Sequence, residues 1–293
     1  MINTIKEGIS ITRNFGLSYA IKRYKDFRLR EIDEKRRDKL YKILKPKTSK
    51  VVRIILGNKI ILDMNDYGIN RDLFLDGIRE PFSTGYLMNF LTKKDITLDI
   101  GANIGYYALI ESRICKKVYA VEPVHEIFES LNANIKLNNF KNIETFQFAF
   151  GNKIGNITIN INRKCNLNSI YPIKNTIGKQ NTEINTIDNF LKNKTKPSFV
   201  RMDVEGYELN IVKGMINTLP KLKMVFIELH SHIMKLNETR ELLDILKKNN
   251  FEPDLIVQYD RPGLNKILPN NYINRIYQGE RGGYEIFFKN NKN

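Results

Sequence analysis

Apolar residues recur at helical spacing between Leu17 and Leu44, with Leu17, Ala20, Ile21, Tyr24 and Phe27 followed by Leu40, Ile43 and Leu44. This spacing predicts a helix, and Pro46 ends it because proline lacks the N–H and the freedom to continue. Two short apolar runs follow, Val51 to Leu56 and Lys59 to Leu62, and Gly57-Asn58 between them makes a two-residue hairpin turn. Residues 66–93 mix loop and helix. From residue 97 onward, short β-type runs alternate with helical periodicity. Strands are predicted at Thr97–Ile100, Val118–Val121, Glu144–Phe148, Phe199–Asp203, Met224–Leu229, Asp254–Gln258 and Tyr284–Phe288. Helices are predicted at Tyr106–Ser112, Glu126–Leu137, Leu209–Leu219 and Thr239–Lys248. The early strands are apolar on both faces, as parallel strands covered by helices should be. The alternation predicts a doubly wound α/β sheet, in which ligands bind beyond the carboxyl ends of the strands.

Composition narrows the class. The chain has 293 residues, 42% of them hydrophobic, which is enough for a packed core and excludes a disordered tail. No run of eighteen apolar residues occurs, so no membrane-spanning helix is expected. The start, Met1 to Glu7, lacks a basic-then-apolar leader layout, and Cys115 and Cys165 are too few for a disulfide framework or a four-cysteine zinc site. A reduced, cytoplasmic setting is the expectation. Residues 1–50 hold 15 Lys and Arg against 6 Asp and Glu, a net +9 of the chain's +16. One reading of this basic segment is a solvated helix on the main domain. The other is a surface for peripheral contact with a membrane, nucleic acid or another anionic partner. The predicted division is a basic helical extension with its hairpin at 1–80 and the α/β domain at 81–293.

The candidate chemistry lies at the strand tips. The first strand of the alternating region runs into Leu98-Asp99-Ile100-Gly101-Ala102-Asn103-Ile104-Gly105-Tyr106. Gly101 and Gly105 allow a sharp turn, the following helix offers unpaired N–H groups, and Asp99 adds a carboxylate suited to an amino group. The spacing is Asp-x-Gly-x-Asn-x-Gly, which is neither a dinucleotide fingerprint nor a P-loop. The second strand ends at Glu122-Pro123, where an acid can accept hydrogen bonds from two ribose hydroxyls. A nucleoside carrying an amino acid satisfies both sites, and that ligand is S-adenosylmethionine. Asp203, Glu205, Glu228 and His230 cluster at the tips of the next two strands. Residues 228 and 230 share one strand face. His230 is the expected base for a hydroxyl acceptor, with Asp203 or Glu228 orienting it. The same four residues are candidate ligands for a divalent metal ion.

The stretches Leu98–Tyr107, Val118–Pro123 and Val200-Arg201-Met202-Asp203-Val204-Glu205-Gly206-Tyr207-Glu208 together resemble the FkbM family of methyltransferases, and Phe226-Ile227-Glu228-Leu229-His230 is similar to that family as well. The resemblance covers roughly residues 97–260. It implies a class I methyltransferase (Rossmann-like) sheet, mostly parallel with one antiparallel strand inserted, and an enzyme moving the methyl of S-adenosylmethionine to a hydroxyl of a sugar, glycan or related small molecule. It maps the cofactor turn onto Asp99, Gly101, Ala102, Asn103 and Gly105, and the ribose acid onto Glu122. Residues 81–293 then form the methyltransferase domain. Two rivals stay open: an RNA methyltransferase using the basic N-terminal segment, and a non-catalytic tethering protein. Asn134-Ile135-Lys136-Leu137-Asn138-Asn139 is similar to a stretch of some tRNA methyltransferases, which favours the first rival. Against it, Asp203-Val204-Glu205-Gly206 stands where base-modifying relatives often carry Asn-Pro-Pro-aromatic, and Asp99 with Glu122 argues against a degenerate cofactor site. Phe150-Gly151-Asn152, Asn168-Ser169, Arg201, Tyr67, Arg71 and Arg79-Glu80-Pro81 are further candidates for lining the site.

Overall fold

The computed structural model describes residues 12–13, 15–172, 176–259, 261 and 263–292. The leader reading of Met1 to Glu7 falls outside them. The chain divides into two compact units, Met1–Thr48 and Ser49–Asn293. The first is dominated by α1 (Leu17–Leu44), whose end falls where Lys45 turns extended ahead of Pro46. Among the described residues, no helix is long and apolar enough to cross a membrane.

The second unit opens with the hairpin β1 (Lys50–Ile55) and β2 (Asn58–Asp63), paired in register from Lys50↔Asp63 to Ile55↔Asn58. The short helices α2 (Ile69–Asp76) and α3 (Pro81–Phe90) lead from it toward the main sheet. The hairpin is expected to go with the extension, yet it belongs to the second unit because a later helix holds it. Asn134 and Asn138 lie on α5 (His125–Leu137) and just past its end. Ile61 N–H donates to Asn134 Oδ1 at 2.7 Å, and Asn134 Nδ2 donates to the Ile104 carbonyl at 2.8 Å. Asn138 exchanges two further bonds with the Lys59 backbone, at 2.8 and 2.7 Å. The Asn-rich segment that resembles a nucleic-acid enzyme is thus a clamp between the hairpin and the glycine turn after β3. Asn134 is fully buried, so Asn134→Leu should strand two backbone groups and cost about 2–4 kcal/mol in urea unfolding.

The main sheet has eight strands: β3 (Ile96–Ile100), β4 (Lys117–Val121), β5 (Ile143–Phe146), β9 (Phe199–Met202), β10 (Met224–His230), β11 (Phe251–Gln258), β12 (Lys266–Leu268) and β13 (Gly283–Asn290). Their order is β12-β11-β13-β10-β9-β3-β4-β5. The five strands β5, β4, β3, β9 and β10 run parallel, and β13 inserts antiparallel between β10 and β11. That insertion is held by ring packing as well as ladder bonds: Phe226 stacks on its cross-strand partner Phe287 with centroids 4.0 Å apart. Helices α4 (Tyr106–Ile114), α5 and α8 (Leu236–Lys248) account for the helical periodicity, and the single turn α6 (Ile187–Phe190) precedes β9. The central strands β3 and β9 are buried throughout and β10 at every position but Glu228, as their two-sided apolar pattern requires.

Three local expectations change. The helix expected over Leu209–Leu219 is the short α7 (Glu208–Lys213), because Gly214 packs onto the Gly151 carbonyl so closely that a Cβ there would lie 1.9 Å from the oxygen. The third strand ends at Phe146; after Gln147 the chain leaves the main sheet and β6 (Ala149–Phe150) joins a separate sheet. That sheet, in the order β6-β8-β7, is built on β7 (Gly155–Asn162) and β8 (Thr176–Asn185), in a region that the strand–helix alternation predicts only as a connection. Ile157, Ile159 and Ile161 alternate there with Asn and Thr, a period-two signal present in the sequence.

Candidate active site

A cleft opens at the carboxyl ends of β3, β4 and β9, the edge at which open α/β sheets bind ligands. Glu122, Pro123, Asp203 and Glu205 line it, and Phe148 and Phe150 lie on its wall with their rings edge to face at 5.0 Å. Gly101, Asn103, Asn168 and Ser169 also line it. Asn152 of the expected adenine-side turn does not, and Arg71 is buried on its neighbour Asp72.

The sheet register explains why the expected cofactor residues divide. Asp99 on β3 lies beside Arg201 on β9, and Arg201 Nη1 donates to Asp99 Oδ1 at 3.0 Å while Nη2 reaches Asp203 Oδ2 at 3.3 Å. Asp99 is fully buried, is not on the cleft wall, and its Oδ2 has no hydrogen-bond partner. Burial raises its carboxyl above the ordinary range and Arg201 pulls it back. Tyr107 covers the guanidinium, which sits 4.1 Å from the ring centroid. Ala102 packs with Ala108, Val118, Ala120 and Leu131, and Gly105 backs onto Leu131, so these two shape the turn without lining the cleft. Gly101, at φ +75°, presses against the chain itself: a Cβ there would meet the Asp203 carbonyl oxygen at 2.1 Å. Gly101→Ala should therefore force apart the β3 and β9 tips and cost about 2–4 kcal/mol, read as a lowered urea midpoint.

Glu122 follows the end of β4 and lines the cleft. Its Oε2 accepts from the Asn103 N–H and its Oε1 from the Val124 N–H, both at 3.0 Å. Each oxygen retains a free lone pair. Burial pushes this carboxyl up to about 7, partly offset by those two backbone donors.

The second cluster surrounds His230, which is 4% exposed. His230 Nδ1 lies 2.7 Å from Glu208 Oε1, and Nε2 lies 3.4 Å from Glu205 Oε2 and 3.5 Å from Glu228 Oε1. The partner that orients the ring is therefore Glu208, the first residue of α7, rather than Asp203 or Glu228. Glu208 is fully buried and its Oε1 also accepts from the Gly206 N–H at 3.0 Å. Burial alone would lower the imidazole's pKa, but the surrounding Glu205, Glu208 and Glu228 outweigh it and raise it. Burial raises Asp203 to about 6 and Glu205 to about 8. Glu205 has φ +52°, uncommon for a side chain with a Cβ, and Ser169 Oγ donates to its carbonyl at 3.0 Å. Ligating atoms of Asp203, Glu228 and His230 all lie within 4.8 Å of one another; Glu205 stands outside that group. Arg79, held by Glu80, approaches Glu228 Oε2 at 3.9 Å.

The strand order with its antiparallel insertion, the glycine turn and the acid at the second strand tip define a class I methyltransferase, an enzyme dependent on S-adenosylmethionine. The chain belongs to the FkbM methyltransferase family: residues 99–253 match the Methyltransferase FkbM domain. Over 183 residues it is 26% identical to the hexuronic acid methyltransferase AglP of Haloferax volcanii, covering 58% of this chain and 73% of that one. A 69-residue stretch is 32% identical to protein-L-isoaspartate O-methyltransferase 2 of Nitrosococcus oceani, covering 23% and 32% of the two chains. Among solved structures, an FkbM methyltransferase of Methylobacillus flagellatus aligns with a TM-score of 0.44 and 16% identity, covering 68% of this chain and 44% of that one. The present chain thus spans less than half of that protein's length.

Proposed function

We propose that this protein transfers the methyl group of S-adenosylmethionine to a hydroxyl oxygen of a sugar, glycan or related small molecule. The observation that carries this reading is one cleft lined both by Glu122 of the second strand tip and by Asp203 and Glu205 of the β9 tip. Glu122 accepts from the ribose hydroxyls, Pro123 and Phe150 flank the adenine, and Gly101 and Asn103 face the methionine portion. Asp99 acts from behind the turn, holding Arg201 and through it Asp203. The similarity to a hexuronic acid methyltransferase supports a sugar-type acceptor.

Methyl transfer is an in-line displacement, so the protein's task is to align acceptor oxygen, methyl carbon and sulfonium and to receive the hydroxyl proton. Asp203, Glu228 and His230 lie together at the strand tips, and the carboxylates of Asp203 and Glu228 take this proton while His230 fixes their orientation. Asp203, Glu228 and the neutral form of the His230 ring would together hold a divalent cation: their ligating atoms are close, Glu228 Oε2 has no hydrogen-bond partner, and Glu208 anchors the far nitrogen of the ring. Such an ion would supply a lowered acceptor pKa.

Calorimetric titration with S-adenosylmethionine tests the cofactor half, with single-site binding expected and no heat removing it. A labelled-methyl assay on pools of uronic-acid glycans, lipid-linked sugars and RNA tests the acceptor. Label in a carbohydrate pool is expected; label confined to RNA would replace this reading with the nucleic-acid one.

A further inference from the structure

We propose that α1 is an interfacial helix whose one exposed stripe binds anionic lipid surfaces. At about 100° per residue, fifteen of its positions fall within roughly 160° of the circumference. All fifteen are exposed. The apolar ones include Leu17, Ile21, Tyr24, Ile32 and Ile43, which are 49–68% exposed. Interleaved with them are Lys25, Lys35, Arg36, Lys39 and Lys42, while Arg28, also in the sector, pairs with Glu31 at 2.5 Å across its edge. None of the helix's acids, Asp26, Glu31, Asp33, Glu34 and Asp38, lies in this sector, and none of them is exposed. The net charge of the helix is therefore sorted: its acids and the three basic residues Arg23, Arg30 and Arg37 occupy the opposite side.

This sorting selects the occupant. Basic heads at the level of lipid phosphates, with Leu, Ile and Tyr side chains reaching the acyl boundary, satisfy both halves of the stripe at once. A polynucleotide would meet the charges and leave the aliphatic side chains in water. A second copy of the stripe would bring like charges together. The helix is about 42 Å long, so it lies along a surface. The proposal does not depend on which acceptor the methyltransferase uses.

Co-sedimentation of the full chain with vesicles tests it. Binding is expected to phosphatidylcholine–phosphatidylglycerol vesicles and to be far weaker with phosphatidylcholine alone. Lys35→Gln with Lys39→Gln should weaken it about thirtyfold, whereas Arg23→Gln with Arg30→Gln, the same loss of net charge on the other side, should change it less than about threefold. Ile32→Gln with Ile43→Gln should abolish the binding that survives high salt. Far-ultraviolet circular dichroism and the cofactor titration of each variant, unchanged from the parent, verify folding. The proposal is overturned by absence of anionic-vesicle binding or by equal loss in both charge variants. RNA binding sensitive to the Lys35/Lys39 change without vesicle binding, or a dimer dissolved by that change, overturns it equally.

Discussion

Glu122→Ala is expected to weaken S-adenosylmethionine binding by about a hundredfold or more, because two charge-assisted acceptors for the ribose hydroxyls vanish together. The substitution also strands the Asn103 and Val124 N–H groups that Glu122 now satisfies at 3.0 Å. Glu122→Gln, which keeps the shape and an acceptor, should lose less and separates the charge from the scaffold. The charge carries a pH signature. Burial raises Glu122 to about 7, and the ligand's hydroxyls prefer the ionised form. Affinity should therefore be full above pH 7 and fall by up to about tenfold per unit as pH drops below it. The cofactor's own ammonium, with a pKa near about 8 in simple α-amino groups, titrates on the alkaline side and is common to every variant. Glu122→Gln should flatten the acidic limb in calorimetric titrations. A slope that persists in this variant would belong to another group, such as Asp203 at about 6. Unchanged affinity in Glu122→Ala would move the cofactor elsewhere.

His230→Ala should lower turnover about a thousandfold while changing cofactor affinity by less than about threefold, the pattern of a group that acts through the acids it holds beside the cleft rather than on the cofactor. Removing the ring takes away the group that Glu205, Glu208 and Glu228 surround, with Nε2 now 3.4 Å from Glu205 and 3.5 Å from Glu228. They would repel one another and lose the geometry that faces the acceptor. Glu228→Gln should be nearly as severe if Glu228 receives the proton, and mild if Asp203 does. Glu208→Gln keeps a hydrogen-bond acceptor for Nδ1 but removes a buried charge, so it should affect turnover and its pH profile more than cofactor affinity. Full turnover in His230→Ala would remove this cluster from the reaction.

Much of this site is legible in the order of residues alone. The acid at the second strand tip needs only strand periodicity and position, and Glu122 stands where those two place it. The convergence of Asp203, Glu228 and His230 follows from their places at the ends of neighbouring parallel strands. Asp99 shows the limit. A carboxylate at a strand tip suggests a side chain turned toward a ligand, but the register of β3 against β9 sets Arg201 beside it, and a buried acid turns to the nearest cation. Glu208 fits a surface residue at a helix start equally well, because nothing in its local pattern reveals that the chain folds it against a histidine 22 residues later. The β7–β8 hairpin is hidden for another reason. Its alternating isoleucines carry the strand signal, but they fall inside a run of helix-linked parallel strands, where a long crossover is the simpler expectation.

Periodicity and turn chemistry act within a few residues, so the elements, the parallel core of the sheet and the acids that reach its tips are written into short stretches of chain. Which charge answers which is not. Asp99 with Arg201, Glu208 with His230, and Asn134 with the hairpin are separated by 102, 22 and 73 positions. Their pairing comes from strand register and helix placement, and in a buried setting each polar group must find its partner across the fold.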